Sequence, residues 1–148
     1  MPPQSRLPQT GRESKPSSGL QGIKVLVVDD TVDMREYVAF VLEQEGAEVV
    51  TAASAAEAIA AFAQFQLDVL LSDIGMPDMD GYMLMQQVRQ LSPPGGQIPA
   101  IALTAYAGEI NQQQAIAAGF QQHIAKPIES AALIAAIVDL LNPEKVEK

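Results

Sequence analysis

Short runs of β-branched and aliphatic residues alternate along the chain with longer stretches whose apolar positions recur at helical spacing. From Ile23 onward the runs KVLVV, EVVTA, DVLLS, AIALT and HIA are interleaved with DMREYVAFVLEQEG, AAEAIAAFAQF, YMLMQQVRQL and EINQQQAIAAG, and SAALIAAIVDLL closes the series. The alternation predicts five strands and five helices, because a polar-free run suits a covered strand and a 3.6-residue period suits an amphipathic helix.

Strands that lack polar alternation are covered on both faces, and strands separated by helices join through right-handed crossovers. The pattern therefore predicts an α/β fold, a doubly wound five-stranded parallel sheet between two layers of helices. Local punctuation agrees. Ser54 followed by Glu57 is a capping box at the start of the second helix, and Gly46 and Gly119 stand where the first and fourth helices should end.

In helix one, Met34, Tyr37, Val38, Val41 and Leu42 are expected to face the sheet, leaving Val32 and Phe40 outside it. In helix five, Ile134, Ile137, Val138 and Leu141 form one apolar row and Leu133 and Leu140 a second, available to a dimer, to a neighbouring domain or to a wide buried face.

Composition sets the limits. With 148 residues, 48% of them hydrophobic, the chain holds one domain with one sizeable core. Residues 1 to 21 are rich in Pro, Ser, Gln and Gly, with Leu7 and Leu20 as their only large aliphatic side chains, and read as a flexible tail or linker. Residues 22 to 142 form the domain, and 143 to 148 a short polar end with no output domain after it. No run approaches the roughly 18 apolar residues of a spanning helix, and the N-terminus has no secretory apolar core, so a cytoplasmic location is expected.

The absence of cysteine excludes disulfides, thiolate metal sites and cysteine nucleophiles. Between residues 22 and 142 four bases face fifteen acids, 4 − 15 = −11, a balance that repels phosphate backbones and argues against direct nucleic-acid binding.

The candidate chemistry lies at the ends of the strands, where open α/β sheets carry their functional crevice. The first strand ends in Asp29 and Asp30, the third in Asp73, the fourth in Thr104, and the fifth is followed by Lys126. Taken singly, a strand-end Asp is ordinarily a turn or helix cap and a lysine ordinarily solvated. The ordered set is the signal.

If the first and third strands are neighbours, Asp30 and Asp73 repel by about 4 kcal/mol at roughly 4 Å and an effective dielectric of about 20. A cation must relieve that. Three carboxylates and a backbone carbonyl at Gly75 make an oxygen-only set suited to hydrated Mg2+. With a hydroxyl and an ammonium nearby, the set is equipped for phosphoryl transfer, Asp73 attacking phosphorus while Thr104 and Lys126 receive its oxygens.

At VLVVDD, SDIGMPDMDG, ALTA and AKP the chain resembles the receiver domain of bacterial two-component response regulators, over about residues 22 to 142. SDIGMPDMDGY and LTAYAGE…AAGF…HIAKP look most like receivers of hybrid histidine kinases. The resemblance implies a flavodoxin-like strand order, 2-1-3-4-5.

It also implies that Asp73 is the phosphoacceptor, that Asp30 and the Gly75 carbonyl are metal ligands, and that Asp29 acts on the metal through a water. Thr104 would turn toward the phosphoryl group, Lys126 would pair with it, and the Lys126–Pro127 peptide would be cis. His123 takes the place of a usually aromatic switch residue, and is either that switch or an ordinary strand residue. Gly75 and Tyr106 occupy positions that influence the lifetime of the acyl phosphate.

The implied partners are a sensor histidine kinase or a histidine phosphotransfer protein, with Val32 and Met34 candidates for docking the helical phosphodonor. A dimer through the fourth helix, fifth strand and fifth helix is a further expectation. The chain reads either as a single-domain regulator or as the C-terminal receiver of a hybrid kinase.

Two other readings compete. Asp78-x-Asp80 resembles the nucleophile motif of haloacid-dehalogenase-type phosphatases, and more weakly a calcium loop, but it follows Pro77 in a turn and lacks a distal glutamate. A degenerate receiver serving only as an interaction module is the third reading.

Overall fold

The computed structural model describes residues 19–76, 79–104 and 112–141. Five strands, β1 (Lys24–Val28), β2 (Glu48–Ala52), β3 (Val69–Asp73), β4 (Ala100–Thr104) and β5 (Gln122–Ala125), alternate with helices α1 (Val32–Gln44), α2 (Ala55–Gln64), α3 (Gly81–Arg89), α4 (Gln112–Ala118) and α5 (Ser130–Leu141). All pairings are parallel, in the order β2-β1-β3-β4-β5. The order reverses between β1 and β3, so the ends of these two strands open side by side.

Alternate residues of each strand enter opposite cores, the period-2 geometry of a sheet covered twice. Leu26, Val28, Leu70, Ala100 and Ala102 pack with α2, α3 and α4. Val25, Val27, Val69, Leu71, Ile101 and Leu103 pack with α1 and α5. The central strands β3 and β4 are buried throughout, whereas the edge strands β2 and β5 are only partly covered.

The caps follow the sequence. The Ser54 hydroxyl accepts from the Glu57 N–H, and the Glu57 carboxylate reaches back to the Ala53 N–H rather than to that of Ser54. Gly46 and Gly119 adopt φ of 95° and 117°, the left-handed region that ends a helix without a Cβ penalty.

Three expectations need correction. Leu20, assigned to the tail by its surroundings, is fully buried, and its N–H donates to the Glu45 carbonyl, so packing begins there. Tyr37 does not face the sheet. It is 40% exposed, and its phenol turns toward the loop after β5 instead. The two rows of α5 are not an inner and an outer face, because the buried pair, Leu133 and Ile137, takes one residue from each. Phe40, left outside the sheet-facing stripe, is 61% exposed.

Candidate functional site

The carboxyl ends of β1 and β3 bring Asp29, Asp30 and Asp73 together, with one oxygen from each lying within 4.8 Å of the others. Asp29 is fully buried and Asp73 nearly so, whereas Asp30 is exposed. Both Asp29 oxygens are engaged: Oδ1 accepts from the Thr31 N–H at 2.8 Å, and Oδ2 accepts from Lys126 Nζ at 3.1 Å. Lys126 Nζ also lies 3.7 Å from Asp73 Oδ1, which accepts from the Gly75 N–H at 3.2 Å.

Lys126 reaches the acids because its backbone is tied to β4. Its N–H donates to the Thr104 carbonyl at 2.7 Å, and the Lys126–Pro127 peptide is cis, as the resemblance implied. Thr104 stands one residue beyond the Asp73–Leu103 register pair. Its side chain is buried, and its hydroxyl has no hydrogen-bond partner among the described residues. An orphaned buried hydroxyl is costly, and a ligand oxygen in the crevice would satisfy it.

Burial and the neighbouring Asp29 charge push the Asp73 carboxyl above the ordinary carboxylate range, and Lys126 and the Gly75 N–H offset part of that rise. A single lysine against three acids leaves net negative charge on an all-oxygen donor set. That chemistry fits a hard divalent cation, with Asp30 and Asp73 available as direct ligands and Asp29 already committed to other partners.

The start of α3 packs closely on the backbone of Asp73 and Ile74. The Gly81 N–H donates to the Ile74 carbonyl at 2.9 Å, and the Asp80 carboxylate caps α3 by accepting from the Met83 N–H at 2.9 Å. Asp80 is thus a helix cap, which removes the basis of a phosphatase-like pair; Asp78 lies outside the described residues. A methyl group on Gly81 would sit 2.5 Å from the Asp73 carbonyl oxygen and 2.9 Å from the Ile74 Cα. Because both neighbours are backbone, Gly81→Ala should destabilise the domain by about 2 kcal/mol in urea unfolding.

His123 is a partly buried β5 residue paired with Ala102, and it borders a small hollow with Ile116 and Phe120. It is one strand away from β4 and not among the residues that gather around Asp73. Gly75 is exposed, and Tyr106 lies outside the described residues. Val32 is 51% exposed and Met34 partly so, leaving the start of α1 accessible beside the acids.

Sequence reasoning missed Arg35, whose guanidinium donates to the Asp29 carbonyl at 2.7 Å and anchors the acid-bearing loop to α1. It also missed the Tyr37 hydroxyl, which donates to the Ile128 carbonyl at 2.9 Å. The first was discoverable from its place one turn into α1; the second spans 91 positions and left no local signal.

Comparison with known proteins places this geometry in a family. A 14.6 kDa protein from Leptolyngbya boryana, described as uncharacterized, is 44% identical over 115 residues that span 78% of this chain and 87% of that protein. The sensor histidine kinase RcsC of Escherichia coli K12 is 34% identical over 126 residues; the match spans 85% of this chain but only 13% of the kinase. Among solved structures, the chemotaxis protein CheY4 of Vibrio cholerae superposes with a TM-score of 0.74 at 31% identity, covering 80% of this chain and 98% of CheY4. A family profile described as response regulator receiver domain matches residues 25–138. This chain belongs to the response regulator receiver domains, the phosphoacceptor modules of two-component signalling.

Proposed function

We propose that Asp73 is the residue that takes the phosphoryl group, from a phosphohistidine on a sensor kinase or a histidine phosphotransfer protein. The observation that carries this reading is the cluster of three acids with the Lys126 ammonium at the carboxyl ends of β1 and β3, beside a partnerless buried Thr104 hydroxyl at the end of the adjacent β4. In the transfer, an Asp73 carboxylate oxygen forms a bond to phosphorus as the phosphorus–nitrogen bond of the donor breaks. The imidazole keeps the bonding pair and later takes a proton from solvent.

Asp30, Asp73 and the Gly75 carbonyl would hold Mg2+, with Asp29 supporting it less directly. When bound, the ion offsets the carboxylate charge and stabilises charge on the phosphoryl oxygens. Lys126 and the Thr104 hydroxyl supply the remaining donors, the first by a short shift from Asp73 and the second by satisfying its own missing hydrogen bond. Asp29 keeps Lys126 in place through the 3.1 Å pair. Gly75 and Tyr106 then bear on the rate of hydrolysis, and His123 on reporting the phosphorylated state.

The chain is accordingly a signalling domain whose chemistry is confined to its own phosphorylation and the loss of that group. The domain includes Leu20, where packing begins, and it serves in the cytoplasm as a free regulator or as part of a hybrid kinase. No helix among the described residues is long and apolar enough to cross a membrane, and the net charge of −9 disfavours nucleic acid. A donor helix would dock near Val32 and Met34. The α4–β5–α5 face, where Ile116 is 68% exposed, is the surface for pairing with a second copy.

Intact-mass measurement tests the reading. Acetyl phosphate with Mg2+ should add one phosphoryl group, and EDTA in place of Mg2+ should lower the initial rate at least about 100-fold. Equal uptake with and without the metal would remove the ion from the account.

A further inference from the structure

Helix α1 touches both of the loops that build the crevice. Near its start, Arg35 donates to the Asp29 carbonyl at 2.7 Å, fixing the loop that carries Asp29 and Asp30. Half a turn further on, the Tyr37 hydroxyl donates to the Ile128 carbonyl at 2.9 Å, two residues beyond Lys126. The loop after β5 is therefore tied to the same helix that is tied to the acids. Between those two ties lies the 3.1 Å Lys126–Asp29 pair.

Among the described residues, the lysine loop has two other ties. On one side, the Lys126 N–H is bonded to the Thr104 carbonyl, and on the other, Ile128 is buried in the core that α1 and α5 share. Lys126 itself is on a long side chain with considerable rotamer freedom, so the position of its backbone decides how often the ammonium reaches the acids. A tether on the loop, two residues away, narrows that distribution.

We propose that Tyr37 is a positioning residue for Lys126: its hydroxyl, by holding the Ile128 carbonyl, keeps the ammonium aimed at the Asp29–Asp73 crevice. The proposal rests on the reading that Asp73 is phosphorylated with the help of Lys126. Tyr37 touches none of the reacting atoms and acts only through the loop. It also accounts for the exposure of an aromatic residue expected in the sheet-facing stripe, whose oxygen reaches across to the loop.

Tyr37→Phe removes one oxygen and leaves the ring, and the test is the rate of phosphoryl uptake from acetyl phosphate at saturating Mg2+. The maximal rate should fall about tenfold, as misplacing a transition-state donor does, while the Mg2+ concentration for half-maximal rate stays unchanged. A double-mutant cycle separates positioning from general loosening. In the Lys126→Ala background, Tyr37→Phe should cost nothing more, because the side chain it positions is gone. Should Lys126→Ala not fold, Lys126→Gln supplies the same background.

An unchanged maximal rate in Tyr37→Phe would overturn the proposal, as would an equal tenfold fall in both backgrounds. If the unaltered chain takes up no phosphoryl group at all, the reading of Asp73 falls first and this proposal with it. Uptake by the unaltered chain with no effect of Tyr37→Phe sinks the proposal alone.

Discussion

Asp73→Asn should take up no phosphoryl group under conditions in which the unaltered chain takes up one. The change is nearly isosteric and removes the nucleophilic carboxylate, so the loss is expected to be complete rather than partial. Misfolding would not explain it, because the variant should be at least as stable as the parent at pH 7 in EDTA.

The reason lies in the environment of Asp73. Burial and Asp29 raise its carboxyl above the ordinary range in the folded domain. A carboxyl with a raised folded-state pKa contributes stability that is fully present below its unfolded value and is lost as pH rises through the folded value. At pH 7 the ionised group is therefore a net burden, and asparagine relieves it. The stability advantage of Asp73→Asn should shrink as the pH is lowered into the carboxylate range, which urea unfolding across pH would record. A variant less stable than the parent at pH 7 would show that Lys126 and the Gly75 N–H more than compensate for burial.

The second large effect is expected from Lys126→Ala. Asp29 is fully buried and Lys126 is its only cationic partner among the described residues, at 3.1 Å with 19% of the lysine side chain exposed. Removing one member of a buried pair leaves the other charged and uncompensated, a loss of about 3 kcal/mol. For a domain of this size the thermal midpoint should fall by about 10 °C in EDTA.

Mg2+ should restore part of that stability, because the ion binds the folded acids and not the unfolded chain. It should not restore the chemistry. Phosphoryl uptake from acetyl phosphate should remain roughly 100-fold slower, the usual cost of deleting one donor to the transferring group. A variant that regains full uptake with Mg2+ would reduce Lys126 to a structural counter-ion.

How much of this was legible in the sequence follows from the range of the interactions involved. Strands β1, β2 and β4 and helix α5 have the predicted bounds, because their apolar patterns are uninterrupted. The convergence of Asp29, Asp73, Thr104 and Lys126 was legible because parallel strands joined by helices all point their carboxyl ends the same way.

What was not legible depends on contacts between distant segments. The outward turn of Tyr37 is decided by a carbonyl 91 residues away, and the burial of Leu20 by its place in the core beside Leu42 and Ala47, where its N–H meets the Glu45 carbonyl. Helical periodicity gave Tyr37 the right spacing for the sheet-facing stripe but could not register a hydrogen bond that pulls its ring aside. The mixed burial of α5 has the same origin, since its buried face is set by how the helix rolls against the sheet and α1. Arg89, whose guanidinium donates to the carbonyls of Gly96 and Gly119, ties the end of α3 to the segment before β4 and to the residue that follows α4, in a way that no local pattern announces.

The chemistry of the domain comes down to one covalent bond, whose position can be read directly. The phosphorylated chain is reduced with borohydride, which converts an aspartyl phosphate to homoserine, and peptide mass mapping then locates the converted residue. Conversion confined to position 73 is the predicted result. Conversion at Asp29 or Asp30, or a phosphoryl group that resists reduction and maps to a serine, threonine or histidine, would contradict it.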